Sequence, residues 1–168
     1  RSRYQILFIE GTHDNLDLLE QYPQEEWNGG QVHRISGSLL HLMRGQVFTI
    51  EGKKIFTFGG GESAEMDLRA EDGTWWAQEL PTEEEITDAR AALLAQDNAV
   101  DCIVTHECNT IVRKFIGLEG ERSNLMTHFF DEVMDKVQFR QWFFGCYHLD
   151  KAIPPRYQAL FQKIVPLG

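Results

Sequence analysis

Three apolar segments of this chain end in the same chemistry, and that repetition constrains the fold more than any other feature. Gln5-Ile6-Leu7-Phe8-Ile9 runs into Gly11-Thr12-His13-Asp14-Asn15. Val100–Val104 runs into Thr105-His106-Glu107-Cys108, and Gln141–Phe144 into Gly145-Cys146-Tyr147-His148. Short apolar runs closed by glycine or polar residues read as buried strands. In open α/β sheets, ligands collect beyond the carboxyl ends of the strands. Three such ends carrying histidine, with Asp and Cys beside them, form a constellation suited to a divalent cation. One histidine beside a strand is more often a packed or surface residue; three in equivalent places bring a shared site level with that reading. His33, His41 and His128 lack this placement. His41 falls inside a predicted strand and His128 on a predicted helix, and all three are assigned structural or surface roles.

The intervening sequence mixes hairpins with β-α-β units. Leu39–Met43 and Gln46–Ile50 read as strands around Arg44-Gly45, and Glu51-Gly52 as the tight pair of a hairpin leading into Ile55–Phe58. Asn15–Gln21 reads as a short helix, with Asp14 as its N-cap and Pro23 beyond its end. Glu62–Leu80 is polar and irregular, with room for one helical turn. Thr82 followed by Glu83-Glu84-Glu85 marks the start of a helix running to about Gln96. Ser123–Val137 is amphipathic on Leu125, Phe129, Val133 and Val137, and Tyr157–Val165 alternates as a last strand. This order predicts one layered α/β domain over residues 1–168, with a mixed sheet or a sheet sandwich.

Hydrophobic residues make up 42% of the 168, enough for a packed core. No apolar run approaches the roughly 20 residues that span a bilayer, so no membrane association is expected. The formal net charge of -10 disfavours an extended nucleic-acid surface. It leaves open a small phosphate ester held by a metal, because the ion dominates the local field. Three cysteines without paired spacing indicate a reducing compartment, read here as the cytoplasm. The chain opens Arg1-Ser2-Arg3-Tyr4 without a signal-peptide layout, and is read as starting mid-protein or at a processed end.

Taken in order, G-T-H-D-N, T-H-E-C and G-C-Y-H resemble the G-N-H-D/E, isolated-His and G-H-x-H blocks of the calcineurin-like metallophosphoesterases. The connecting segments HLMRGQVFTIEGKKIFTFGG and WFFGCYHLDK are similar to a bacterial subgroup of that family, and the resemblance covers essentially the whole chain. It implies a two-sheet β-sandwich flanked by helices. It also implies a site for two divalent ions (manganese, iron, zinc or magnesium) that orient a phosphate and activate water. By the same resemblance, His13 is the catalytic residue assisting the leaving oxygen, and His106, His148, Cys146 and Thr12 stand at metal-ligand positions. The implied activity is metal-dependent phosphoester hydrolysis, a phosphatase or phosphodiesterase acting on a small phosphoester.

The pattern departs from the family at identifiable points. Thr12 replaces the ligand Asn, and Cys146 replaces the first His of G-H-x-H, so the active site reads as degenerate. A thiolate suits zinc or iron better than manganese or magnesium, and Cys146 is read first as a small buried thiol. The D-x-H and G-D-x-x-D blocks have no counterpart, which implies a domain truncated at its N-terminus, weak or inactive alone, and completed by a homo-oligomer or a complementing chain. The alternative is a catalytically inactive scaffold or interaction protein on the same fold. A third reading is a single zinc site at His106, Cys146 and His148. Trp27, Trp75 and Trp76 are expected to pack under a loop rather than cover a cleft, and Arg44 to be a solvent-facing turn residue rather than a phosphate contact. Gly59-Gly60-Gly61 is either a simple turn or a place where backbone approaches a phosphate.

Overall fold

A computed structural model of the chain describes residues 4–118 and 123–167. It is mixed α/β, with two mixed sheets and five helices among those residues. In chain order these are β1 (Ile6–Phe8), α1 (Leu16–Leu19), β2 (Gln24–Trp27), β3 (Gly30–Arg34), β4 (Leu39–Leu42), β5 (Gln46–Ile50) and β6 (Lys53–Phe58). Then follow α2 (Met66–Glu71), α3 (Glu83–Leu94), β7 (Cys102–Thr105), α4 (Thr110–Phe115), α5 (Leu125–Lys136), β8 (Gln141–Phe144), β9 (Lys151–Ile153) and β10 (Tyr157–Ala159). One sheet has the order β1-β4-β3-β2, the other β5-β6-β7-β8-β10-β9. Among the described residues no helix is long and apolar enough to cross a membrane.

The larger sheet is built by alternation. Phe56, Phe58, Ile103 and Trp142 point to one face, where Ile86, Ala89 and Leu93 of α3 and Met126, Phe129, Phe130 and Val133 of α5 cover them. Ile55, Cys102 and Phe143 point to the other face, towards Leu160 and Val165. At the β5 end of that second face, Phe48 packs against Val32, Leu40 and Leu42 of the smaller sheet. Side chains alternate across a strand, so each central strand serves two cores.

Capping follows the predicted chemistry at α3. Thr82 and Glu85 form a reciprocal capping box, and the Thr82 hydroxyl accepts from the Glu85 N–H. The hairpin pair Glu51-Gly52 has φ of 49° and 81°, the left-handed conformation that a two-residue turn demands. At α1 the cap is Asn15, not Asp14: Asn15 Oδ1 accepts from Leu18 N at 2.9 Å. Asp14 instead turns back to accept from Gly11 N at 2.6 Å and closes the loop after β1.

Several elements were not anticipated. The β2–β3 hairpin turns at Asn28-Gly29 (φ 50° and 93°), and Gly30 lies inside β3 because a Cβ there would meet the Phe48 ring at 2.6 Å. Helix α2 falls within Glu62–Leu80, where the sequence leaves room for one helical turn; α4, the 3₁₀ turn Ala77–Glu79 and strand β9 are too short for a periodic signal. The expected last strand shrinks to Tyr157–Ala159, because beyond it Asp150 accepts backbone bonds from Phe161, Gln162 and Lys163 and holds the chain in a loop. In α5 the buried face is Met126, Phe129, Phe130 and Val133, while Leu125 is exposed.

Candidate functional site at the strand ends

Register places the site. Phe58 pairs with Thr105 across β6 and β7, and Thr105 with Phe144 across β7 and β8. Gly59, His106 and Gly145 therefore leave three neighbouring parallel strands at one level. The backbone N–H groups of Gly145 and Cys146 both donate to the His106 carbonyl, at 3.1 and 2.9 Å, and tie the second and third predicted ends together.

The first end arrives from the other sheet. Gly11 lies over the His106 ring so closely that a Cβ would stand 3.0 Å from Cε1. On its other edge is Gly61, where a Cβ would lie 2.7 Å from Thr12 Cγ2 and 3.2 Å from His106 Cδ2. The glycine run is thus a place where backbone must approach closely rather than a simple turn. Thr12 is buried, and its carbonyl accepts from Arg69 Nη1 at 3.2 Å and Ser63 Oγ at 3.4 Å. Ser63 in turn bonds the buried Glu79.

His106 is the centre of the arrangement. Burial holds its imidazole below the ordinary value; Asp14 and Glu10 oppose that shift, while His13 and His148 reinforce it. His13, His148 and Asp14 therefore all lie within electrostatic reach of His106. Their exposures differ. His13 and His148 are exposed, and His148 sits at φ 51° with its ring stacked on Phe161 at 4.8 Å. Cys146 is half-buried, so the expected fully buried thiol does not apply. Cys108, one strand end away, is buried 3.8 Å from Tyr147 Oη and its thiol is pushed up to about 12, so it is inert as a nucleophile.

A divalent metal is the group the sequence resemblance implies. His106 fits a ligand role: its Nε2 is buried with no hydrogen-bond partner among the described residues, and its ring is held neutral. A full ligand set is not assembled, because no group of three His, Cys, Asp or Glu side chains able to hold a metal is present among the described residues.

One residue assigned to the surface lies in the interior instead, and two of the histidines given structural or surface roles are structural. Arg44 is not a solvent-facing turn residue; its side chain is 7% exposed and clamps the buried Glu10, with Nη2 at 2.7 Å and Nε at 2.9 Å from Oε1. His33 and His41 are both buried, and His41 Nε2 lies 2.8 Å from Glu10 Oε2. Phe8, two residues before Glu10, pairs with His41 and meets its ring at 5.1 Å, so period-2 spacing sets Glu10 on the His41 side of the chain. His128 keeps its helix-surface role, 2.8 Å from Ser123 Oγ. Trp27 packs on Phe48 at 6.0 Å, and Trp76 Nε1 donates to Asp17 at 2.9 Å.

No family model, curated protein or solved structure matches the chain.

Proposed function

We propose that this chain carries part of the site of a metal-dependent phosphoester hydrolase of the calcineurin-like type, on that family's two-sheet sandwich. The observation that carries the reading is the convergence of three histidine-bearing strand ends on His106, whose Nε2 is buried and unpartnered among the described residues. In this reading His106, His148, Cys146 and Thr12 face the ions, and His13, exposed at the rim, protonates the departing alcohol oxygen. The ions, when bound, supply the charge stabilisation and the activated water. The completing carboxylates belong to blocks that have no counterpart in these 168 residues.

Thr12 and Cys146, which stand where the family has Asn and His, favour a second reading: an inactive scaffold on the same fold. Metal content by plasma mass spectrometry separates the two. It is measured on the chain as it stands, on His106→Ala, on Thr12→Asn/Cys146→His, and with the two absent blocks supplied. The hydrolase reading expects uptake that depends on His106 and rises with the double reversion or the added blocks. Uptake indifferent to His106→Ala, or no metal in any form, would overturn it. A stoichiometric protein partner without metal decides for the scaffold.

A further inference from the structure

Beside Glu10, a cleft of about 630 Å³ opens between the smaller sheet, α1 and the start of α3. Its wall holds a line of polar side chains that the proposed hydrolysis does not use. Gln24 Nε2 lies 3.2 Å from His33 Nε2, His33 Nδ1 2.9 Å from His41 Nδ1, and His41 Nε2 2.8 Å from Glu10 Oε2. Strand register creates the line: Gln24 pairs with His33, His33 with His41, and His41 with Phe8, two residues before Glu10. The two rings are parallel to within 1°.

The direction of every bond follows from its acid end. A carboxylate only accepts, so His41 Nε2 carries a proton. A neutral His41 then presents a bare Nδ1, and His33 Nδ1 donates to it. That leaves His33 Nε2 bare, accepting from the Gln24 amide. All sites in this state are matched. One further proton can enter at His33 Nε2 when the Gln24 amide turns its oxygen to the ring, after which the Nδ1 proton is free to sit on either ring. Two further protons would place two N–H groups face to face across 2.9 Å, so the pair takes one.

We propose that His33 and His41 form a single shared proton-binding site, loaded from the cleft at His33 Nε2, that regulates the Glu10–Arg44 clamp beneath the glycine run. The proton comes from solvent and adds to a nitrogen lone pair; no other bond is made or broken. The charged groups facing the pair are Glu10 and Arg44 inside, Glu20 beyond α1, and Glu85 of α3, which is 3.4 Å from Arg44 Nη1. Burial, reinforced by His41, holds His33 below the ordinary imidazole value against the pull of Glu10, so the site fills only in acid.

The glycine run receives the signal. A Cβ on Gly59 would lie 2.1 Å from Glu10 Oε2, and one on Gly60 2.8 Å from Arg44 Nη2. Gly60 N donates to the Glu10 carbonyl at 2.9 Å. Any adjustment of the clamp to a new positive charge is thereby passed to Gly61, which abuts Thr12 and His106. Nothing in this inference requires bound metal or hydrolase activity.

The test is NMR titration of the full chain, with the histidine rings assigned by substitution. One proton is expected to enter through His33 at a midpoint below about 6.5, the ordinary imidazole value, with the signals of both rings and the Gly59–Gly61 amides moving together. Gln24 is exposed, so Gln24→Glu tests the loading point without disturbing the core. A carboxylate there accepts the added N–H and should raise the shared midpoint by about 1 pH unit. Separate midpoints with a full proton on each ring, glycine amides that ignore the titration, or a Gln24→Glu midpoint that stays put would each refute the site.

Discussion

Arg44→Met removes the only positive side chain bonded to Glu10 among the described residues and leaves its carboxylate, 3% exposed, with His41 as partner for one oxygen. The guanidinium now contributes bonds at 2.7 and 2.9 Å to Oε1, a 3.0 Å bond to the Gln78 carbonyl, and a stacking position 5.8 Å from the Phe58 ring. Breaking a buried ion pair by removing one partner costs about 3–5 kcal/mol, because the remaining charge stays buried without compensation. Against a total stability of roughly 5–15 kcal/mol, that loss lowers the thermal midpoint by about 10 °C. Urea unfolding with a tryptophan readout measures it, as a fall in midpoint at unchanged slope. Glu10→Gln added to Arg44→Met should cost less than Arg44→Met alone, since an unpaired amide is cheaper to bury than a carboxylate. The penalty should also shrink in acid, where a protonated Glu10 needs no counter-charge. A loss under about 1 kcal/mol, typical of a solvent-exposed ion pair, or a double variant worse than the single, would refute the clamp.

The remaining expectations are briefer. Phe129→Ala opens a cavity where the ring meets Phe58 at 5.3 Å and Phe130 at 6.0 Å, and should cost about 3–5 kcal/mol by urea unfolding. Thr82→Ala deletes the hydroxyl half of the α3 capping box and leaves the backbone N–H of residue 82 on the Glu85 carboxylate; it should cost about 1 kcal/mol, visible as faster amide exchange in the first turn. For pH, unfolded His33 protonates near the ordinary value of about 6.5, while its folded form, held lower, does not. Stability therefore falls as pH drops through that window, until the folded ring also titrates. Comparing urea midpoints on either side of that window should show the fall, and His33→Asn should reduce it. Glu10 acts further into acid. Its burial raises the pKa, but the His41 bond and the Arg44 charge together bring it below the usual value. Its contribution holds above the ordinary carboxylate range and disappears as pH falls through the lowered folded value.

What could be read from residues alone was whatever leaves a local mark. The β5–β6 hairpin announces itself through Glu51-Gly52, α3 through Thr82 and Glu85, and the strands of the larger sheet through apolar runs such as Ile103 and Phe143. The three strand-end histidines were legible for the same reason, and the structure brings His13 and His148 within reach of His106. Long-range partners leave no such mark. Arg44 beside Gly45 looks like any turn arginine until Glu10, 34 positions away, is placed under it. His33 and His41 read as separate residues because the β3–β4 register that pairs them is a tertiary fact. Asp14 and Asn15 are both good caps, and only the loop closure onto Gly11 decides between them.

The wiring of the larger sheet also bears on how the chain reaches this state. Strand β6 joins β5 through a two-residue turn, but its other neighbour, β7, pairs Ile55 with Cys102, and β7 in turn pairs Cys102 with Gln141. The hairpin can close within about 1–10 μs of local search. The parallel pairings must await closure of much longer loops, the topology of slow folders. During synthesis the hairpin's free edge, with Phe56 and Phe58 uncovered, waits for β7 and then for the aromatic face of α5, which is made later still. The most aggregation-exposed interval in the life of this chain is therefore the time between emergence of Phe58 and emergence of Phe130.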